Sequence, residues 1–222
     1  MEWTVPFVKA LVLVPLTLLP IINPLSSAPL FVATTGGDKS VARRLARQVA
    51  INSWLVVVVS MLVGNYVLEV FGISLPIVRI GGGLLVAATA WRMLESRDAD
   101  GLKAVAAEKA GHLSDEEIVR RSFFPITFPL TTGPGTIAAS IALGASIPQS
   151  PLLFIAGALV SMLGALLIAL VLYLVFSRAG QVLGWLGEIG TMVMMRLTAF
   201  ILLCIGIEIM WTGWAELNHL SP

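Results

Sequence analysis

Apolar residues run along this chain in blocks of membrane-spanning length, parted by short polar stretches. Six blocks emerge: about Val5 to Ala33, Val49 to Phe71, Leu75 to Met93, Phe123 to Leu143, Pro151 to Phe176 and Ile189 to Trp214. A helix rises about 1.5 Å per residue, so roughly 20 apolar residues cross the hydrocarbon core. Pro151 to Phe176 is the cleanest block: continuous, uncharged and long enough to cross with some tilt. The first and fourth blocks are interrupted. Leu19 to Phe31 reads LPIINPLSSAPLF, with Asn23, Ser26 and Ser27 set among Pro20, Pro24 and Pro29. Phe128 to Thr136 reads FPLTTGPGT and brings Thr131, Thr132, Gly133, Pro134, Gly135 and Thr136 together. A proline inside a helix removes a backbone donor and clashes with the preceding turn, at about 3 kcal/mol. In lipid such a break survives only where it is buried in protein or lines a polar cavity. The pattern therefore predicts an all-α polytopic membrane protein with six transmembrane helices, of which spans one and four are broken by Pro and Gly.

Composition supports the membrane assignment. The chain has 222 residues, 57% hydrophobic and 12% charged, where a soluble domain carries about 25% charge. Ser122 to Ser177 holds no Asp, Glu, Lys or Arg at all. A net charge of +1 gives no reason to expect a nucleic-acid partner. Charge is zoned instead, with 12 of the 27 charged residues between Glu95 and Arg121. Cys204 is the one cysteine, which leaves no intramolecular disulfide and no cysteine-only metal site. The first block contains Lys9 and runs past signal-peptide length, so it reads as an uncleaved span.

Basic residues set the expected orientation. Lys39, Arg43, Arg44 and Arg47 lie between spans one and two, and Arg178 between spans five and six. Arg92, Arg97, Lys103, Lys109, Arg120 and Arg121 lie between spans three and four. The opposite side has Lys9 and Arg79 alone. The asymmetry puts the three basic loops in the cytoplasm and both termini outside. In the longest loop, Ser114 and Glu117 have the form of a capping box, and Asp115, Glu116 and Glu117 suit the first turn of a short helix leading into span four. His112 and His219 fall in or near loops and suggest no metal site.

Three spans, a hydrophilic linker and three more spans suggest two halves, 1–94 and 122–222, joined by 95–121. Asn23-Pro24 opens one half and Gly133-Pro134 the other, 110 residues on. Arg79 with Trp91 and Arg196 with Trp211 form a second correspondence, the arginines 117 residues apart. An odd number of spans per half forces opposite orientations, so the halves are inverted repeats, a common transporter plan.

The segments NPLSSAPLF, PLTTGPGTI, VARRLARQVA and RIGGGLL resemble the MarC family of bacterial integral membrane proteins over nearly the full chain. The Pro-Leu-x-x-Gly-Pro-Gly element is the most specific of these. The resemblance implies a bacterial inner membrane location and kinship with the LysE-type superfamily of small-solute exporters. Related archaeal proteins are described as small neutral amino acid transporters. Many members carry an acidic residue where this chain has Asn23, so here that position holds no titratable group. Thiol-transferring members of the wider superfamily place a cysteine beside proline in spans one and four. This chain has Asn23 and Gly133 there, and thiol exchange with the lone Cys204 lacks a partner thiol.

A broken helix frees N–H groups on one side and carbonyls on the other. The N–H end suits a carboxylate and the carbonyl end a cation, so two breaks facing each other fit a zwitterion such as an amino acid. Asn23, Ser26, Ser27, Thr131, Thr132 and Thr136 would add neutral donors and acceptors around Pro24, Pro29 and Pro134. Gly133 and Gly135 would allow close backbone approach. The plainer alternative is that these are packing kinks, with Ser and Thr bonding back to freed carbonyls. Arg79, Arg196 and Glu208 lie within spans, where charge costs at least about 2.5 kcal/mol and usually faces the bundle interior. The arginines are candidate gates and Glu208 a candidate proton-coupling carboxylate. Asn52 and Asn65 read as interhelical glue, and Gly157, Ser161 and Ala165 as a helix contact.

The leading expectation is a secondary transporter or exporter of a small polar solute, working by alternating access. The alternative is a channel or a scaffold that moves nothing. No zinc-type or Ser-His-Asp set is visible, so no enzyme and no cofactor are expected. The expected partners are the lipid bilayer, a small-molecule substrate, a coupling proton or sodium ion, and a second copy of the chain.

Overall fold

The computed structural model describes residues 4–36, 38–95, 115–147 and 150–219, and all regular structure among them is helical. The elements are α1 (Thr4–Ile22), α2 (Pro24–Thr35), α3 (Lys39–Phe71), α4 (Leu75–Glu95) and the short α5 (Asp115–Arg121). A π-type segment (Ser122–Thr131) leads to α6 (Pro134–Ala145), followed by α7 (Pro151–Ser177) and α8 (Ala179–Leu217). Helices α3, α4, α7 and α8 are each long and apolar enough to cross a membrane. Counting each bent pair as one span gives six. The bend is 56° between α1 and α2, and 70° between the Glu116–Thr131 stretch and α6.

Two elements extend beyond their apolar blocks. Helix α3 begins at Lys39, ten residues before Val49, because Asp38 caps it. The Asp38 Oδ1 accepts from the N–H groups of Ser40 (2.7 Å) and Val41 (3.4 Å), and the following ARRLARQ is built of strong helix formers. Helix α8 begins at Ala179 and turns at Gly187, where φ is 66° and ψ −178°. The short helix expected ahead of span four is present as α5. Ser114 of its expected capping box and His112 lie outside the described residues.

The largest interface pairs α4 with α8, and the next pairs α3 with α7. The bent segments pack mainly on the opposite half: α1 and α2 against α7 and α8, the π-type segment and α6 against α3 and α4. Small residues bring the backbones together, as membrane packing favours. A Cβ added at Gly206 would lie 2.6 Å from the Ala87 nitrogen, and one at Gly83 would lie 2.6 Å from the Gly206 carbonyl oxygen. Further along, one at Gly213 would meet the Pro76 oxygen at 2.7 Å. In α7, Ser161 and Ala165 are buried, Gly157 lies against Ile147, and Gly164 against Val14 of α1. Leu18, Ile22, Leu45, Ile126, Ile168 and Leu172 fill the interior, and Phe31 of α2 stacks on Phe176 of α7 at 4.7 Å. Val70, Leu152 and Ile189 are among many exposed apolar side chains, as expected where lipid is the solvent.

Candidate functional site

The first break is made by Asn23. Pro24 has no N–H to give the preceding turn, so the helix stops and restarts with Pro24 as the first residue of α2. Asn23 adopts the left-handed conformation (φ 46°, ψ 67°), which Asn tolerates better than most side chains. Its own N–H still donates to the Leu19 carbonyl at 2.9 Å. Its Oδ1 caps α2 by accepting from the Ser26 N–H at 3.3 Å, and the Ser26 hydroxyl donates to the Asn23 carbonyl at 2.8 Å. That bond fixes the amide so that Nδ2 points away from the cap. Asn23 is 4% exposed and Ser27 1%, yet neither Asn23 Nδ2 nor Ser27 Oγ has a hydrogen-bond partner among the described residues. An unmatched buried polar group costs about 1–3 kcal/mol, and natural proteins keep few of them.

The second break is built differently. Phe124 and Phe128 have extended backbone, the Phe128–Pro129 peptide is cis, and the hydrogen bonds reach back five residues. Thr132 N–H donates to the Thr127 carbonyl at 2.7 Å. Three hydroxyls repeat that reach: Thr127 to the Ser122 carbonyl (2.7 Å), Thr131 to Ile126 (2.7 Å) and Thr132 to Thr127 (3.1 Å). Thr127, Thr131, Thr132 and Thr136 are buried. These threonine hydroxyls are thus spent on the break's own backbone, as the plainer alternative expects. Gly133 is extended and offers α6 no side-chain cap, so the first-turn N–H groups beyond Pro134 have none.

The glycines are occupied by packing. A Cβ at Gly133 would stand 2.5 Å from the Pro129 oxygen, and one at Gly135 would run into Val86 of α4. Neither leaves its open side to a ligand. Pro24, Ser26 and Pro29 are half-buried and Pro134 is exposed. The bent segments touch: α1 meets α6, and α2 meets the π-type segment. That crossed pairing is what two segments running in opposite directions produce.

The charged residues fall elsewhere. Arg79 forms an ion pair with Glu216 at the shared end of α4 and α8. Glu216 went unnoticed in the sequence, although antiparallel neighbours of these lengths bring the start of one to the end of the other. Arg196 and Glu208 are exposed on α8, not turned into the bundle, and no ion pair involves either among the described residues. Asn52 Nδ2 donates to Ser122 Oγ at 3.2 Å and ties α3 to the π-type segment, whereas Asn65 donates to Glu69 on its own helix at 3.4 Å. Sequence reasoning also missed Thr127, whose spacing of five from Ser122 and from Thr132 marks the π-type turn, and Ser53, whose hydroxyl is the third buried polar group without a partner among the described residues.

Comparison with known proteins places this architecture in a family. No solved structure matches the chain. The inner membrane protein MarC of Escherichia coli strain K12 is 32% identical over 215 residues, covering 94% of this chain and 96% of its own. The MarC proteins of Shigella flexneri and of Escherichia coli O139:H28 match to the same extent. The family model described as MarC family integral membrane protein matches residues 8–217. This chain is therefore a member of the MarC family of integral membrane proteins.

Proposed function

We propose that the chain is a secondary transporter of a small polar solute, with a neutral amino acid as the leading substrate class, in the bacterial inner membrane. The observation that carries the proposal is the pair of buried, unpartnered groups at the first break, Asn23 Nδ2 and Ser27 Oγ. A kink serving packing alone has no use for them. The uncapped start of α6 adds backbone donors of the same sign. The threonine hydroxyls are spent on their own backbone, and the unpartnered Asn23 Nδ2 and the uncapped N–H groups of α6 are donors, which favours the carboxylate end of the solute. Burial of Asn23, Ser27, Thr131 and Thr132 corresponds to a closed state between two openings.

Alternating access would work through two inverted three-helix repeats with both termini outside. The crossed contact of the bent segments and the packing of each on the other half's helices support that symmetry. The Arg79–Glu216 pair clasps α4 to α8 at one end and belongs to the frame against which the bent segments move. With Asn23 neutral, a proton or sodium couples through another group.

The test is reconstitution in proteoliposomes with labelled neutral amino acids, with and without proton or sodium gradients. Saturable, gradient-driven uptake that Ser27→Ala lowers at least tenfold is the expected result. Flux that never saturates would identify a channel, and no flux of any solute a scaffold. Thr132→Ala is a poor probe of binding, because that hydroxyl holds the break together.

A further inference from the structure

A second concave region lies away from the breaks, where the α2–α3 and α7–α8 corners meet. It is a cavity of about 530 Å³. Lys39 and Arg43 of α3 and Arg178 at the α7–α8 corner line it, with Thr35, Ser177 and Gln181, and no carboxylate lines it among the described residues. Neighbouring Asp38 lies outside the lining, with Oδ1 bonded to the first turn of α3. None of the three cations forms an ion pair with a described residue. The stacked Phe31 and Phe176 form an apolar floor.

The cavity continues into a groove. Tyr173 lines both it and an open furrow of about 660 Å³ between α3 and α7. Arg47 stands in the furrow one turn along α3 from Arg43, and the other lining residues besides Tyr173 are apolar or aromatic. Ala50 and Ala169 make its bed, with Ile51, Leu166 and Leu170 at its sides. Trp54 ends it and is fixed there by its Nε1–H, which donates to the Met162 carbonyl at 3.2 Å across to α7. From Arg47 to Trp54 the furrow follows α3 for roughly 10 Å at the helical rise.

We infer that the basic cavity and the furrow together bind one anionic phospholipid, its phosphate among Lys39, Arg43 and Arg178 and an acyl chain along the α3–α7 furrow. A free phosphate would use the cations but has nothing to place in the furrow. A zwitterionic lipid would fill the furrow but brings its own cation to a cluster with no carboxylate to receive it. Basic pockets between transmembrane helices are a recognised form of anionic-lipid site, with about a fivefold gain in affinity for each Lys or Arg near the phosphate.

Native mass spectrometry of the full chain in neutral detergent, titrated with phosphatidylglycerol, phosphatidylcholine or inorganic phosphate, tests this. Phosphatidylglycerol should bind at least tenfold more tightly than the other two. Lys39→Gln, Arg43→Gln and Arg178→Gln combined should weaken it on the order of a hundredfold, from the fivefold contribution of each charge. The charge-preserving Arg43→Lys and Arg178→Lys should retain binding and show that the fold tolerates change there. Ala169→Trp, which fills the furrow and keeps every cation, should also weaken the lipid at least tenfold. Equal binding of phosphatidylcholine, binding unchanged in the triple variant, or inorganic phosphate binding as tightly as the lipid and indifferent to Ala169→Trp would each overturn the inference.

Discussion

The two breaks look alike in sequence and differ in what they leave unsatisfied. At the second, proline and glycine interrupt the helix, but three threonines return their hydroxyls to carbonyls five residues back in the same break. At the first, Asn23 spends its oxygen on a cap and leaves its NH₂ buried and unmatched beside an unmatched Ser27 hydroxyl. One break spends its hydroxyls on its own backbone, whereas the other keeps side-chain hydrogen-bonding capacity in reserve. The difference teaches that a broken helix alone is not a site. The residual donors and acceptors decide, and they are found only by accounting for each polar group.

This contrast can be broken by experiment, because substitutions at the second break should act on stability and those at the first on transport. Gly133→Val carries the largest expected effect. Its side chain meets the Pro129 carbonyl within 2.5 Å of Cβ, and overpacking of this kind costs about 1–3 kcal/mol. A fall in melting temperature in detergent of several degrees, or loss of folded protein, is expected. An unshifted melting temperature would mean that the break has slack.

Thr127→Val comes next. It removes the hydroxyl held by the Ser122 carbonyl with little change of shape, at about 1–2 kcal/mol. Chemical unfolding in mixed micelles reads it out, and transport per folded molecule should stay near wild type. Smaller in stability is Asn23→Gly, which keeps the left-handed turn and loses the cap, a few tenths of a kcal/mol. Uptake should nevertheless fall at least tenfold, and a variant that transports normally would remove Asn23 from the site. Ser27→Ala should be the mildest on folding, since its hydroxyl has no partner to lose. Stability should hold or rise slightly, and a measurable loss of stability would show that Ser27 has a structural partner after all.

The positions of both breaks were legible, because proline in an apolar run has few explanations. The spans were legible to within a few residues where no polar cap intervened. At Lys39 a cap overrode hydropathy, and at Gly187 one glycine set the turn ahead of the last span. What could not be read was azimuth. In water the polar face of a helix announces which side is buried, but α7 is apolar all round, and lipid is as apolar as the core. Depth could therefore be inferred for Arg196 and Glu208, but not direction, and both are exposed. Nor does residue type show whether a threonine spends its hydroxyl at home. In the regular helices Thr34, Thr89 and Thr198 bond back four residues, and at the second break the reach is five, so the backbone geometry decides the partner.

The glycine contacts between α4 and α8 carry a consequence for mechanics. Gly83, Gly206 and Gly213 bring the two backbones so close that no Cβ fits between them, and Arg79 clasps Glu216 at one end. Slipping one helix past the other by a single residue, about 1.5 Å, would drive side chains into spaces that admit only a hydrogen atom. Such an interface resists sliding and behaves as a keel. If the protein changes shape during its work, the bent segments will swing against that keel, and joining α4 to α8 with a crosslink should leave the cycle intact.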